Sequence, residues 1–234
     1  MKKGITFLIT IILIFSLLVI GISKINKQSQ SEEKIKVIAT LFPQYDFAKQ
    51  IGGDKVDVSL LLTPGTETHT YEPTPQDIIN VNKADLYIYT GKYMEPWSDK
   101  IANSITSNTQ VLDASKNINL INEEQFEKEH DTIDNNEEER DNSHHHEYDP
   151  HIWLNPQNAI GMVKNIEEEL CNIDPQNKEY YQKNAENYIN QLKSLDTEIE
   201  TTIKESPKNK IAFGGTFAYA YFIQRYNLQY VSAY

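Results

Sequence analysis

The sequence predicts an α/β fold of two lobes, with parallel sheets flanked by helices, a long connecting helix and an incomplete second lobe. Three observations carry this. Short β-branched runs alternate with helical patterns from residue 34 to about 112, which implies a parallel sheet with crossover helices. A helical pattern of nearly thirty residues follows, long enough at about 45 Å to join two lobes rigidly. A second strand–helix–strand pattern then begins at Lys210 and runs to the last residue, Tyr234.

Taken in order, Lys2-Lys3 precedes an apolar run from Ile5 to Ile22. Its length lies between that of a signal-peptide core and that of a spanning helix. Neither a clear small-x-small cleavage site nor a cysteine for lipid attachment follows. Residues 1–23 are therefore expected to be an uncleaved membrane anchor, with a cleaved signal as the alternative. The two lysines would keep the N-terminus cytoplasmic and place the rest of the chain outside. Residues 24–33 are polar and aperiodic and serve as a tether.

The first lobe is expected over 34–155. Lys34 to Leu41 (KIKVIATL) is a strand; Pro43 opens a helix carrying Tyr45, Phe47 and Ile51, which Gly52-Gly53 ends; Val56 to Leu62 is the second strand. Between Pro64 and Pro73 lies the loop Gly65-Thr66-Glu67-Thr68-His69-Thr70-Tyr71-Glu72. Thr74-Pro75 then starts a helix, threonine as cap and proline at its first position. Leu86 to Tyr89 is a strand, Gly91 to Trp97 a loop, and Val111-Leu112 closes the pattern. Ligands of such sheets gather beyond the carboxyl ends of the strands, where the His69 loop lies. A lone loop histidine is otherwise a surface residue; here two prolines restrain the loop and Glu67 and Glu72 flank it.

Charge is concentrated in one place. The formal net charge is -12, and residues 122–149 hold twelve Asp or Glu against Lys128 and Arg140, a local net of -10. The remainder is close to neutral, which argues against nucleic-acid binding and suits a protein that collects cations. Residues 122–148 show no apolar periodicity and are expected to be disordered. They are either a solubilising loop or a weak metal antenna. His144, His145 and His146 end the segment: a solvated tract, or auxiliary metal ligands that reach the main site. His151 stands apart, boxed between Asp149-Pro150 and Trp153-Leu154, where proline sets the backbone and the aromatic anchors the turn. Neutral imidazoles suit Zn²⁺, and carboxylates add the charge that holds a divalent ion. Cys171 is the only cysteine, so an intramolecular disulfide and a paired-cysteine zinc site are both excluded.

Residues 156–206 are expected to be connecting helices. Asn155-Pro156 starts one with Ile160, Val163, Ile166 and Leu170 at core spacing. Asp174-Pro175 caps the longer one, whose stripe is Tyr181, Tyr188, Leu192, Leu195 and Ile199. Residues 207–234 form the second lobe: a strand from Lys210, the turn Gly214-Gly215-Thr216, a helix to Tyr226 and a strand from Gln229. So small a lobe cannot bury a proper core, and the chain is expected to be C-terminally truncated.

The loop Gly65-x-Glu67-x-His69-x-Tyr71-Glu72-Pro73, the acidic histidine-bearing insert and Asp149-Pro150-His151-Ile152-Trp153-Leu154 together resemble one family. It is that of the substrate-binding proteins of zinc and manganese ABC importers, in particular the high-affinity zinc uptake branch. The resemblance runs from about residue 34 to 234. It implies two α/β lobes with metal in the cleft, His69 and His151 as ligands, an ABC permease as membrane partner, and a monomer. The insert tilts the choice to Zn²⁺ over Mn²⁺. Glu67 is a further candidate ligand. Two departures stand out. The family's third histidine aligns with Thr216 when Tyr226-Asn227-Leu228 is matched, and its acidic fourth ligand would lie beyond Tyr234.

Function follows as extracytoplasmic capture of Zn²⁺ and delivery to an importer, with no catalytic step. Affinity is expected to fall as histidines protonate below about pH 6. A secreted zinc hydrolase is the rival; Glu67 or Glu72 could act as its base, but there is no His-Glu-x-x-His helix. A surface adhesin or passive metal buffer also fits the anchor and the acidic insert.

Overall fold

A computed structural model describes residues 33–130, 147–215 and 217–232 of the chain. Lys34–Tyr234 is one compact unit, and Met1–Glu33 a separate one of which only Glu33 is described. The expected anchor and tether, and His144, His145, His146 and Thr216, thus lie outside the described residues. Among the described residues no helix is long and apolar enough to cross a membrane.

The first sheet has four parallel strands in the order β2-β1-β3-β4, with β1 at Ile35–Ala39, β2 at Val56–Leu60, β3 at Leu86–Tyr89 and β4 at Gln110–Asp113. Alternation along β3 sends Leu86 and Ile88 to one face and Tyr87 to the other, and all three are fully buried. Helices therefore cover both faces, as parallel sheets require. On the face of Tyr87 lie α2 (Pro75–Val81) and α3 (Ser98–Asn103), which contribute Val81 and Ile101. On the other lie α1 (Phe42–Gly52) and, beyond the insert, α5 (Pro156–Ile173) and α6 (Lys178–Glu205).

The expected Thr74 and Asn155 caps are present, whereas Asp174 does not cap the long helix, which begins at Lys178 after a separate 3-10 turn at Pro175–Asn177. Thr74 and Asp77 form a reciprocal capping box at α2. The Asn155 side chain accepts from Gln157 N at the start of α5. Gly53, at φ 53°, ends α1, a backbone conformation that glycine adopts without penalty. Helix α6 spans 28 residues, about 42 Å at the standard rise.

Two expectations are corrected. The start of the insert is ordered: Glu123–His130 forms helix α4, and Asn122 bridges Tyr148 in antiparallel fashion. One buried aromatic is enough to seat it. Phe126 is 4% exposed and stacks near Phe217 and Tyr230. Along α6, Leu195 is 46% exposed, and the next residue, Asp196, is the buried one. The Asp196 carboxylate accepts from Arg225 and Tyr226 and from Gln157 of α5. A satisfied buried carboxylate thus occupies the position that apolar periodicity assigned to leucine.

The second sheet pairs β5 (Lys210–Phe213) with β6 (Gln229–Ser232), again in parallel, through α7 (Ala220–Tyr226). It does not need a core of its own. Ala220, Tyr221, Ile223, Tyr226 and Leu228 join the same apolar cluster as α1, α5 and α6.

Candidate metal centre

The long loop after β2 carries His69. It opens with a tight turn in which Thr66 N donates to Thr63 O at 3.1 Å, Pro64 and Gly65 between them and Gly65 at φ 89°. Proline then glycine at the two central positions suits a type II turn, whose second central residue needs a positive φ. Four contacts then fix the histidine segment. Glu67 Oε1 accepts from His69 N at 3.1 Å. The Trp97 indole donates to Thr68 O at 2.6 Å. The Tyr71 ring meets the Trp97 ring edge-on at 5.1 Å, and its hydroxyl donates to Asp77 at the start of α2. The ring of His69 is half-buried, with Nδ1 shut away from solvent.

His151 sits in the turn before α5. Asp149, 4% exposed, accepts from His151 N at 2.7 Å and lies 3.1 Å from His151 Nδ1. A carboxylate accepts, so Nδ1 carries the proton and Nε2 keeps its lone pair for a metal. Trp153 closes the other side, its ring edge-on to the imidazole at 5.7 Å.

The fold brings these two histidines together. Their ring centroids are 6.3 Å apart and their planes nearly perpendicular. With Zn–N bonds of about 2.0–2.1 Å, two imidazoles on one tetrahedral ion would place their centroids roughly 5–5.5 Å apart. The observed spacing is therefore about one ångström wider than a shared ion requires. The further candidate Glu67 is turned onto the amide of His69, and near His151 in the chain Glu147 accepts from Tyr93 at 3.3 Å. Among the described residues no group of three or more His, Cys, Asp or Glu gathers around a point.

Several supporting residues escaped sequence reasoning. Asp149 could have been found from its spacing, a carboxylate two residues before a candidate ligand. Trp97 could not, since its partner Thr68 lies far away in sequence. Glu95 is the least expected. It is fully buried beyond the ends of β1 and β3, accepting from Thr40 Oγ1 at 2.6 Å and Thr90 N at 3.1 Å. Strand order reverses between those two strands, the usual place for a ligand crevice in such sheets. Burial pushes its carboxyl up to about 7, against the opposing hydrogen bonds from Thr40 and Thr90.

The sequence model of the family described as "ZnuA: Zinc-uptake complex component A periplasmic" matches residues 37–234. The chain belongs to this family. Among its relatives, the high-affinity zinc uptake system protein ZnuA of Bacillus subtilis is 42% identical over 200 residues, covering 85% of this chain and 60% of that protein. The metal-dependent lipoprotein YcdH from Bacillus subtilis has a similar structure, with a TM-score of 0.72 and 36% identity over 85% of this chain and 66% of that one. Zn(II)-bound AdcA from Streptococcus pneumoniae matches with a TM-score of 0.72 and 28% identity over 86% of this chain and 40% of that one. The chain thus spans about two thirds or less of the length of these relatives. The α/β architecture of the ZnuA family is the one that the sequence predicted.

Proposed function

We propose that this chain captures Zn²⁺ outside the cytoplasm and delivers it to an ABC permease; zinc uptake, the process that its relatives' names print, supports this. The observation that carries this is the approach of His69 and His151, 6.3 Å between centroids, from two separate loops. Asp149 leaves His151 Nε2 as a donor, and a pair of imidazoles favours Zn²⁺ over Mn²⁺. Glu67 would complete the coordination, with His144, His145 and His146 as auxiliary ligands that tight binding does not require. In this proposal 34–155 is the N-terminal lobe, 156–206 the connector, and 207–234 lies in the second lobe. Membrane attachment through the N-terminal segment and a monomeric state belong to the same proposal. The family is one of metal uptake, not of enzymes.

The test is a competition titration of the full chain with Zn²⁺ and Mn²⁺. The double variant His69→Ala/His151→Ala is expected to lose tight zinc binding. Deletion of 131–146 is expected to keep it; this deletion spares α4 and the Asn122–Tyr148 bridge. Unchanged affinity in the double variant would sink the site. Weak binding that vanishes with 131–146 would leave a passive buffer instead.

A further inference from the structure

Tyr221, in the first turn of α7, is 2% exposed, yet its hydroxyl has two partners. It takes the hydrogen of Ile121 N at 3.1 Å and donates to Asp149 O at 2.8 Å. Beside it, Asp149 N donates directly to Ile121 O at 2.9 Å. In an antiparallel ladder a hydrogen-bonded pair of residues exchanges both N–H···O bonds. Here one bond is direct, and the other runs through the inserted hydroxyl. The Asn122–Tyr148 bridge continues the ladder one step away.

This fixes the backbone of Asp149, and Asp149 is the residue that holds His151, through both the main-chain amide and Nδ1. The relay therefore runs from a helix beyond the long connector to a ligand nitrogen. The helix is itself tied down by Arg225, in its last turn, whose guanidinium donates to both carboxylate oxygens of Asp196 in α6. Without the hydroxyl, Ile121 N and Asp149 O would be left unsatisfied in the interior. They could recover only by closing on each other, which would carry the Asp149 carboxylate away from His151.

We propose that Tyr221 is a positioning residue for His151, through which the seating of α7 sets the orientation of the imidazole. As a statement about metal binding it rests on the zinc-site proposal. Its primary test needs no metal.

The experiment compares metal-free wild type, Tyr221→Phe and Tyr226→Phe by long-range ¹H–¹⁵N correlation of the His151 ring nitrogens above neutral pH, with melting curves in parallel. Tyr226→Phe removes another buried hydroxyl from the same helix but does not touch Asp149. Wild type and Tyr226→Phe are expected to show the Nδ1–H tautomer, and Tyr221→Phe an averaged pattern. Zinc competition should then show Tyr221→Phe weakened about tenfold, the scale of outer ligand-orienting contacts, and Tyr226→Phe unchanged. An unaltered His151 pattern in Tyr221→Phe overturns the proposal. An altered pattern in a protein that never binds zinc supports the positioning role and overturns the zinc site instead. Should Tyr221→Phe fail to fold, a ring-fluorinated tyrosine at that position keeps the shape and alters only the hydroxyl. Unmoved His151 ring signals in that protein overturn the proposal equally.

Discussion

The indole of Trp97 donates to the carbonyl of Thr68 at 2.6 Å, one residue before the proposed ligand His69. Its ring also supports Tyr71 on the far side of that histidine. The His69 loop is therefore held at both shoulders by one side chain from the loop after β3. Trp97→Phe keeps most of the ring contact and removes only the donor. It should cost about 1 kcal/mol of stability and weaken zinc binding by about tenfold. Urea unfolding and zinc competition on the same sample check this; an affinity equal to wild type would show that the loop holds its shape without that bond.

Glu95 predicts an unusual pH dependence. With its folded pKa raised to about 7 from 4.5, the folded state keeps a proton that the unfolded chain has released between those values. Stability from this group is thus complete below about pH 4.5, falls as pH rises through the window, and is lost above about pH 7. The total is about 3 kcal/mol at 1.36 kcal/mol per unit. Glu95→Gln cannot titrate and should lose this slope. Denaturant unfolding across the window, wild type beside variant, reads the difference; parallel curves would contradict it.

Asp196 carries the opposite sign. Burial alone would raise its pKa, but hydrogen bonds from Arg225, Gln157 and Tyr226 outweigh burial and hold it below the ordinary carboxylate range. Its contribution is present above the unfolded pKa and disappears as pH falls through the lower folded one. Asp196→Ala should cost about 1–3 kcal/mol by leaving Arg225 and the buried Tyr226 hydroxyl without their acceptor. The double variant with Arg225→Ala should recover part of that, as a double-mutant cycle would show.

Phe126 tests the ordered start of the acidic insert. Phe126→Ala should destabilise the protein by about 3–5 kcal/mol, whereas deletion of 131–146 should change stability little. Thermal melts of the two proteins compare them directly, and a neutral Phe126→Ala would mean that α4 contributes nothing to the core.

The sequence alone determined the alternation of strands and helices, both strand ends of β3 and the first strand of the second sheet. It also marked the Thr74 and Asn155 caps and singled out His69 and His151. These follow from local rules: apolar period, capping chemistry, and proline and glycine at turns. It misjudged α4, because a single buried phenylalanine makes no periodicity. It misjudged Leu195, because the period located the face of α6 but not which residue the neighbouring helices would accept there. How the two histidines are held depends on contacts between elements. Trp97 and Tyr221 act across long gaps in the chain, through hydrogen bonds whose partners no window of sequence contains. The spacing between the imidazoles is likewise set by loops packed at the end of a sheet, so it exists only once that sheet has formed.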